Sequence, residues 1–377
     1  MPRNAGPFLV SRRGFVQLST GAAAAVVCPV RSRCDEPGIG AITWHDVREW
    51  GVEGRGWTDT ESYYDRLPSK AKDLVRPPVW TLGHYSAGMS ARFETDAATL
   101  HVRYKLLNPA LALTHMPATG ASGVDLYGRS DDDSWRWVGV TRPTEQEIEE
   151  VIAQELAPGL RPYTLYLPLY NGVERVEIGT PTGVNFKPVP PRTAKPLVFY
   201  GTSIMQGACA SRPGMAMTAI LERRLGIPII NLGFSGNGPM DLELAPLLGE
   251  IDAAVYVLDC LPNMSARLVT ARAVPFVERL RRARPRTPIV LAEDAVGMHT
   301  TLVPARRTHY EANHTALRSA YQTLQNHGIT GVTYMDGGDF LGSDGEATVD
   351  GVHPSDLGMA RYADAYEPVL RKLLKSA

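Results

Sequence analysis

Cysteine is scarce in this chain: four occur in 377 residues, Cys28, Cys34, Cys209 and Cys260, which excludes a small scaffold stapled by disulfides. Charge of one sign is lacking as well. Lys and Arg number 39 against 40 Asp and Glu, a formal net charge of -1, so the chain has no field for gathering polyanions and nucleic acid is not expected as a partner. The one N-terminal apolar run falls well short of the roughly 20 residues that cross a bilayer, and no stable membrane span is expected in the mature protein. Internal repeats and low-complexity tracts are absent, although 29 prolines and 35 glycines mark many turns. No His-Glu-x-x-His occurs, His309 and His314 are spaced off a single helical face, and no Gly-Lys-Ser/Thr follows the glycines at 233–238. Neither a catalytic metal nor a nucleotide nor any other cofactor is expected.

What is present is ordinary globular composition, 44% hydrophobic and 21% charged, in a chain longer than one domain comfortably needs. Residues 1–34 read as an address and tether. Ser11-Arg12-Arg13-Gly14-Phe15-Val16-Gln17 precedes a weakly apolar run from Leu18 to Val27, a basic region followed by a short apolar one, as in a twin-arginine export signal. That route places the mature protein outside the cell or in its envelope. Ala25-Val26-Val27 is a poor version of the small-residue pattern that precedes a lipidated cysteine, which argues against lipid attachment at Cys28. Cys209 and Cys260 read as buried free thiols, with a late disulfide as the alternative.

Residues 41–187 carry short alternating or aromatic-rich stretches split by turn signals. Val79–Leu82, Ala91–Glu94, Thr99–Tyr104, Val124–Tyr127, Trp135–Val140, Tyr163–Leu167 and Val173–Ile178 are expected strands, and their spacing suggests a β-sandwich accessory domain. The acidic stretch from Glu145 to Leu156 reads as a helical excursion or a loop. Pro188-Val189-Pro190-Pro191-Arg192 reads as a stiff linker.

Residues 195–377 change character. Apolar runs at Pro196–Tyr200, Ile227–Leu232, Ala253–Leu258, Pro288–Ala292 and Gly331–Met335 have the pattern of strands covered on both faces. Helical stretches separate them, from Met215 to Leu225, Ala266 to Ala283, Arg306 to His327 and Leu357 to Leu374. This is the pattern of an α/β domain with a doubly wound, flavodoxin-like parallel sheet. In such a sheet the carboxyl ends of the strands carry the site.

Four of those ends bear complementary groups. Gly201-Thr202-Ser203-Ile204 holds a serine on a strand-to-helix turn, where an N–H and a helix N-terminus favour negative charge. Asn231 to Gly238 supplies glycines whose backbone N–H groups can face a ligand. Asp259-Cys260-Leu261-Pro262-Asn263-Met264 offers a side-chain amide donor, and Asp350-Gly351-Val352-His353-Pro354 precedes the last helix. Singly, a serine after a strand is usually a helix cap, a glycine cluster a turn, and Asp-x-x-His a cap; their order on one consistent fold selects the catalytic reading.

Those blocks resemble the SGNH/GDSL hydrolases, with Ser203, Gly236, Asn263 and His353 in the four block positions and Asp350 three residues before the histidine. The resemblance spans the second domain. Tyr200–Ile204, Cys209-Ala210-Ser211-Arg212-Pro213-Gly214 and Gly123-Val124-Asp125-Leu126-Tyr127 look like a bacterial subgroup with an N-terminal sandwich bearing a Gly-x-Asp-Leu-Tyr motif. Two departures stand out: Thr202 replaces the aspartate of the family name, and Asn263 lacks the preceding glycine of the commoner Gly-x-Asn-Asp block.

The resemblance implies a carboxylic ester hydrolase that transfers an acyl group to water, with Ser203 as nucleophile, His353 as base, Asp350 orienting it, and Ser203, Gly236 and Asn263 as oxyanion donors. The expected partner is a small-molecule or glycan acyl ester, and exported members are commonly polysaccharide deacetylases. A short-chain lipase or thioesterase, or a tailoring acyl hydrolase on a small metabolite, is the alternative within the class. A catalytically idle glycan-binding module is the alternative outside it, with Trp80, Tyr127, Trp135 and Trp137 either packing the core or holding a glycan. Asp259 and Glu293 also end strands and read as a solvated loop or a helix cap.

Overall fold

The computed structural model of the protein describes residues 41–338 and 340–376. The stretch expected to be an export signal, Cys28 and Cys34 lie outside the described residues.

The first half is two antiparallel sheets. Strands β1 (Ile42–Asp46), β2 (Ser90–Thr95), β3 (Leu100–Leu106), β4 (Asp125–Arg129), β5 (Trp135–Val140), β6 (Glu147–Ala153), β7 (Arg161–Tyr166), β8 (Val173–Pro181) and β9 (Phe186–Val189) assemble in the orders β1-β8-β3-β6 and β5-β4-β7-β2-β9. Alternate residues such as Val102 and Tyr104 of β3, and Phe93, Leu126 and Leu165 of the facing sheet, meet in one apolar interior, as the period of two requires.

Three expectations need correction here. Val79–Leu82 is not a strand but lies in helix α1 (Pro77–Gly83), started by prolines at its first two positions, where no N–H is needed. The Glu145–Leu156 stretch is neither helix nor loop. It contains β6, which pairs with β3 and closes a sheet edge with outward glutamates that discourage further pairing. The supposed linker also begins as a strand: Pro188 pairs with Phe93 at the outer edge of the second sheet, where a missing N–H costs no ladder bond. Arg192 then bridges Glu53 and Glu222 by ion pairs.

The second half is a parallel sheet of β10 (Leu197–Gly201), β11 (Ile229–Gly233), β12 (Val255–Asp259), β13 (Ile289–Ala292) and β14 (Val332–Met335), in the order β11-β10-β12-β13-β14. This is the doubly wound, flavodoxin-like order. A four-residue helix, α2 (Ala118–Ala121), belongs to the first half; α3 (Ser203–Gln206), α4 (Met217–Leu225), α5 (Leu244–Glu250), α6 (Ala266–Ala283), α7 (Pro304–Asn326) and α8 (Asp356–Ser376) belong to the second. Strand residues divide strictly by parity. Leu197, Phe199, Val255 and Val257 pack on the face covered by α4 and α8, whereas Val198, Tyr200, Tyr256 and Leu258 pack on the face covered by α5, α6 and α7. Each such burial contributes about 1.5–3 kcal/mol, so the sheet is the stable platform on which the loops rest.

The chain before β2 also joins this second face. Trp57, Leu67, Ala71 and Val79 are buried against the α5–α7 side of the parallel sheet, and the Trp57 indole N–H donates to Glu250 at 2.9 Å. Arg66, almost wholly buried, donates to the carbonyls of Leu82, Tyr85, Asn231 and Gly233 at 2.7–3.1 Å. Burial lowers its guanidinium to about 9.

Candidate active site

The five site residues expected from sequence lie on loops at the carboxyl edge of the parallel sheet. After β10 the chain turns into α3 with Thr202 as N-cap, its hydroxyl accepting from the Ile204 N–H at 3.3 Å. Thr202 thus performs the local capping that an aspartate at this position also performs. Ser203 follows as the first helical residue, 6% exposed.

Its Oγ lies 2.9 Å from His353 Nε2, and His353 Nδ1 lies 2.7 Å from Asp350 Oδ2. A carboxylate only accepts, so Nδ1 carries the proton and Nε2 is left to accept from the serine hydroxyl. Asp350 also takes the backbone N–H groups of Val352 and His353 on Oδ1, at 3.0 and 2.8 Å. Burial by itself would raise this carboxyl; the hydrogen bonds from His353 and Val352 outweigh it and hold the group at about 2. The loop is closed beneath it by Val349 N–H donating to His353 O and Ser355 N–H to Ala347 O, both at 2.9 Å.

The residues expected as oxyanion donors besides Ser203 follow β11 and β12. Asn263 Oδ1 accepts from the Gly238 N–H at 3.0 Å, which fixes the amide with its NH2 group turned away from that bond. Gly238 can make this approach only without a side chain, since a Cβ would stand 2.0 Å from Gly201 O. Gln206 steadies the same loop, donating to Leu169 O and accepting from Ser235 N–H at 2.9 Å. Gly236 stands at the loop's crest with open space where a side chain would project. Among the described residues, no hydrogen bond holds the N–H of either Ser203 or Gly236. Where the commoner block has a glycine before the asparagine, Asn263 here ends the short helical turn Leu261–Asn263.

Beside this edge lies a cavity of about 360 Å³ lined by neighbours of three site residues, Ile204, Pro262 and Val352, and by polar groups of α7 and β13's end. Arg306, His309 and Tyr310, at helical spacing i, i+3 and i+4, share the wall. The spacing of His309 to His314 does not reveal this wall; the polar stripe at i, i+3 and i+4 is the signal the sequence carries for it. Behind the wall, His314 Nε2 contacts Asp294 Oδ1 at 2.7 Å and its Nδ1 lies 3.3 Å from Glu293. Burial would lower the His314 imidazole, but the Asp294 hydrogen bond and both carboxylates prevail and raise it.

Asp259 and Glu293 are neither solvated nor caps. Both are buried. Asp259 accepts from Tyr366 O–H at 2.7 Å, and Glu293 is engaged by Tyr334 and Arg318. Cys209 and Cys260 are buried free thiols, as expected. Of the four aromatics, Tyr127 is buried and Trp80 and Trp135 pack against core residues, while Trp137 is 50% exposed with its indole N–H on Asp125 Oδ1 at 2.9 Å.

The Gly-x-Asp-Leu-Tyr motif has a clear structural task. Asp125 accepts from Arg212 Nη1 at 2.9 Å and from the Gly214 N–H at 2.7 Å, and Arg212 also donates to Tyr127 Oη at 2.6 Å. The motif therefore clamps the segment that follows the serine helix. Both motifs were visible in sequence, but nothing in their spacing showed that they grip each other.

A serine hydroxyl, a histidine and a carboxylate in hydrogen-bonded series at the switch-point edge of a flavodoxin-order sheet define a hydrolase of the SGNH type. The comparisons agree. Residues 194–371 match the GDSL-like lipase/acylhydrolase family, and residues 42–186 match the Gly-x-Asp-Leu-Tyr N-terminal region of SGNH-hydrolase-type esterases. A Bacteroides ovatus protein named as a GDSL-like lipase is 33% identical with a TM-score of 0.85, covering 89% of this chain and 98% of its own. The salicylyl-acyltransferase of a tetracycline biosynthetic pathway (20% identity, TM-score 0.66, 89% and 96% covered) and a family two carbohydrate esterase from Cellvibrio japonicus (13%, 0.59, 89% and 98%) share the fold. No curated protein matches the sequence. The chain belongs to the GDSL-like lipase/acylhydrolase family and is a carboxylic ester hydrolase.

Proposed function

We propose that the protein is an exported serine esterase that removes short acyl groups, acetyl foremost, from a hydroxylated alcohol such as a carbohydrate. The observation that carries the reading is the hydrogen-bonded series Ser203–His353–Asp350, at 2.9 and 2.7 Å. Ser203 Oγ attacks the ester carbonyl while His353 Nε2 takes its proton, and Asp350 steadies the imidazolium. The oxyanion is met by the Ser203 and Gly236 N–H groups and the Asn263 amide. Collapse breaks the ester C–O bond, and His353 returns the proton to the departing alcohol. Water repeats the sequence on the acyl-enzyme, releasing the acid and restoring the serine.

The alcohol preference rests on the adjoining cavity. Its volume of about 360 Å³ suits a sugar-sized group, and Arg306, His309, Tyr310 and Asp294 offer hydrogen bonds there beside the apolar Ile204, Pro262 and Val352. Export rests on the Arg12-Arg13 signal, and replacing both arginines by lysine should retain the protein inside the cell. The decisive assay compares acetyl, butyryl and octanoyl chromogenic esters and acetylated sugars with and without Ser203→Ala. Acetyl preference that vanishes in the variant supports the reading. Activity that survives in the variant, or a preference for octanoyl esters, overturns it.

A further inference from the structure

Three ligating side chains that the hydrolytic reading does not bring together meet at the catalytic edge. His115 comes from the first half of the chain, Cys209 from the turn after α3, and His353 from the loop before α8. One ligand atom of each lies within 4.8 Å of the other two, and the His115 and His353 rings are 5.4 Å apart between centroids.

This meeting is held by the fold. Thr114 and His115 form the tip of a tight turn in which Leu113 and Met116 exchange both backbone hydrogen bonds, at 2.9 and 3.1 Å. Met116 is buried in the same core cluster as Ile204 and Met205, which anchors the turn. Just beyond it, Gly120 lies so close to the segment after Cys209 that a Cβ would stand 2.2 Å from Ala210 O, and Thr119 Oγ1 donates to Ser211 O at 2.7 Å. Ser211 in turn gives its N–H to Asp356 at 2.8 Å, three residues past His353. Each of the three ligand-bearing segments is thus pinned to the next.

We propose that His115, Cys209 and His353 form an inhibitory zinc site. Two imidazoles and a thiol, with no carboxylate among the three, suit zinc and exclude calcium and magnesium, which take oxygen. Ideal zinc bonds of about 2.0–2.3 Å place tetrahedral ligand atoms roughly 3.5 Å apart, so the three ligand atoms, now within 4.8 Å of one another, draw closer on binding. On binding, Cys209 releases its thiol proton to solvent and forms a Zn–S bond; the two histidines form Zn–N bonds, and water fills the fourth position. His353 has only two ring nitrogens, one on Ser203 and the other on Asp350. Whichever one the metal takes, the catalytic series is broken.

The inhibitory consequence rests on His353 being the base, whereas binding itself does not, so the two are tested separately. Cobalt titrated into the full chain should give a thiolate-to-cobalt band in the near ultraviolet and the visible bands of four-coordinate cobalt, saturating at one equivalent. The ultraviolet band should vanish in Cys209→Ser. In parallel, zinc should inhibit ester hydrolysis, and His115→Ala, at an exposed position, should retain metal-free activity while raising the inhibitory zinc concentration roughly tenfold or more. Absence of the thiolate band from the parent, or equal zinc sensitivity in the parent and His115→Ala, overturns the site.

Discussion

Asp350 at the catalytic edge and Asp125 at the junction between the sandwich and the parallel sheet each accept three hydrogen bonds. Their titration is nevertheless driven in opposite directions. Asp350, with 40% of its side chain exposed, draws all its donors from the next three residues, and these hold it at about 2. Asp125 is buried, and burial raises its carboxyl against the pull of Arg212, Gly214 and Trp137. Hydrogen-bond number alone therefore says little about what a carboxylate does. A solvated acid with local donors stays charged beside its histidine, whereas a buried acid with distant donors is a strut.

The sharpest way to separate the two regions is to remove the proposed nucleophile. Ser203→Ala should lower ester turnover on the order of 10⁵-fold or more while leaving the melting temperature within about a degree of the parent, because no strut is touched. Asp125→Ala should do the reverse. Stranding Arg212 without its carboxylate should cost about 3–5 kcal/mol, a fall of several degrees in thermal unfolding, with a far smaller loss of turnover in the protein that remains folded. If Asp125→Ala instead abolished turnover at unchanged stability, the division between edge and junction would collapse. Asn263→Ala sharpens the edge itself: roughly 100 to 1000-fold lower kcat is expected, with KM for an acetyl ester little changed, since the donor acts on charge that develops in the transition state.

The smallest effect concerns a third carboxylate. Burial pushes Asp259 up to about 7, with Asp294 adding to the rise and the Tyr366 hydroxyl opposing it. An Asp in the unfolded chain titrates near 3.8, so between these values the native state binds the proton more tightly. Its contribution to stability is complete below about pH 3.8 and is lost as pH rises through about 7. Asp259→Asn, which keeps the shape without the charge, should therefore gain a few degrees in melting temperature over the parent at pH 8 and less at pH 5. An equal gap at the two pH values would show that Asp259 carries no proton in the native protein.

Much of the parallel sheet and its edge was legible because strands covered on both faces are nearly continuous apolar runs, and because Ser203, Asn263 and His353 each fall just past such a run or the loop after it. The sandwich was less so. Val79-Trp80-Thr81-Leu82 satisfies a strand pattern as well as a helix pattern over so short a window, and the deciding signal, Pro77-Pro78 before it, lay outside. The glutamates of β6 and the proline of β9 are what edge strands require, yet in sequence they look like breakers. The polar wall at Arg306, His309 and Tyr310 and the grip of Asp125 on Arg212 depend on contacts between distant segments, which no local pattern encodes.

The packing of Trp57, Leu67 and Val79 against the α5–α7 side of the parallel sheet has a consequence for synthesis. A ribosome delivers these residues long before it delivers Leu244–Leu248 and Phe276, their neighbours in that core. The early lobe emerges with an apolar strip whose covering does not yet exist, so that strip stays bare until the second half of the chain is made. A truncation ending before α5 should yield a chain that chaperones hold rather than a soluble sandwich, and the isolated parallel-sheet half should show the matching bare face.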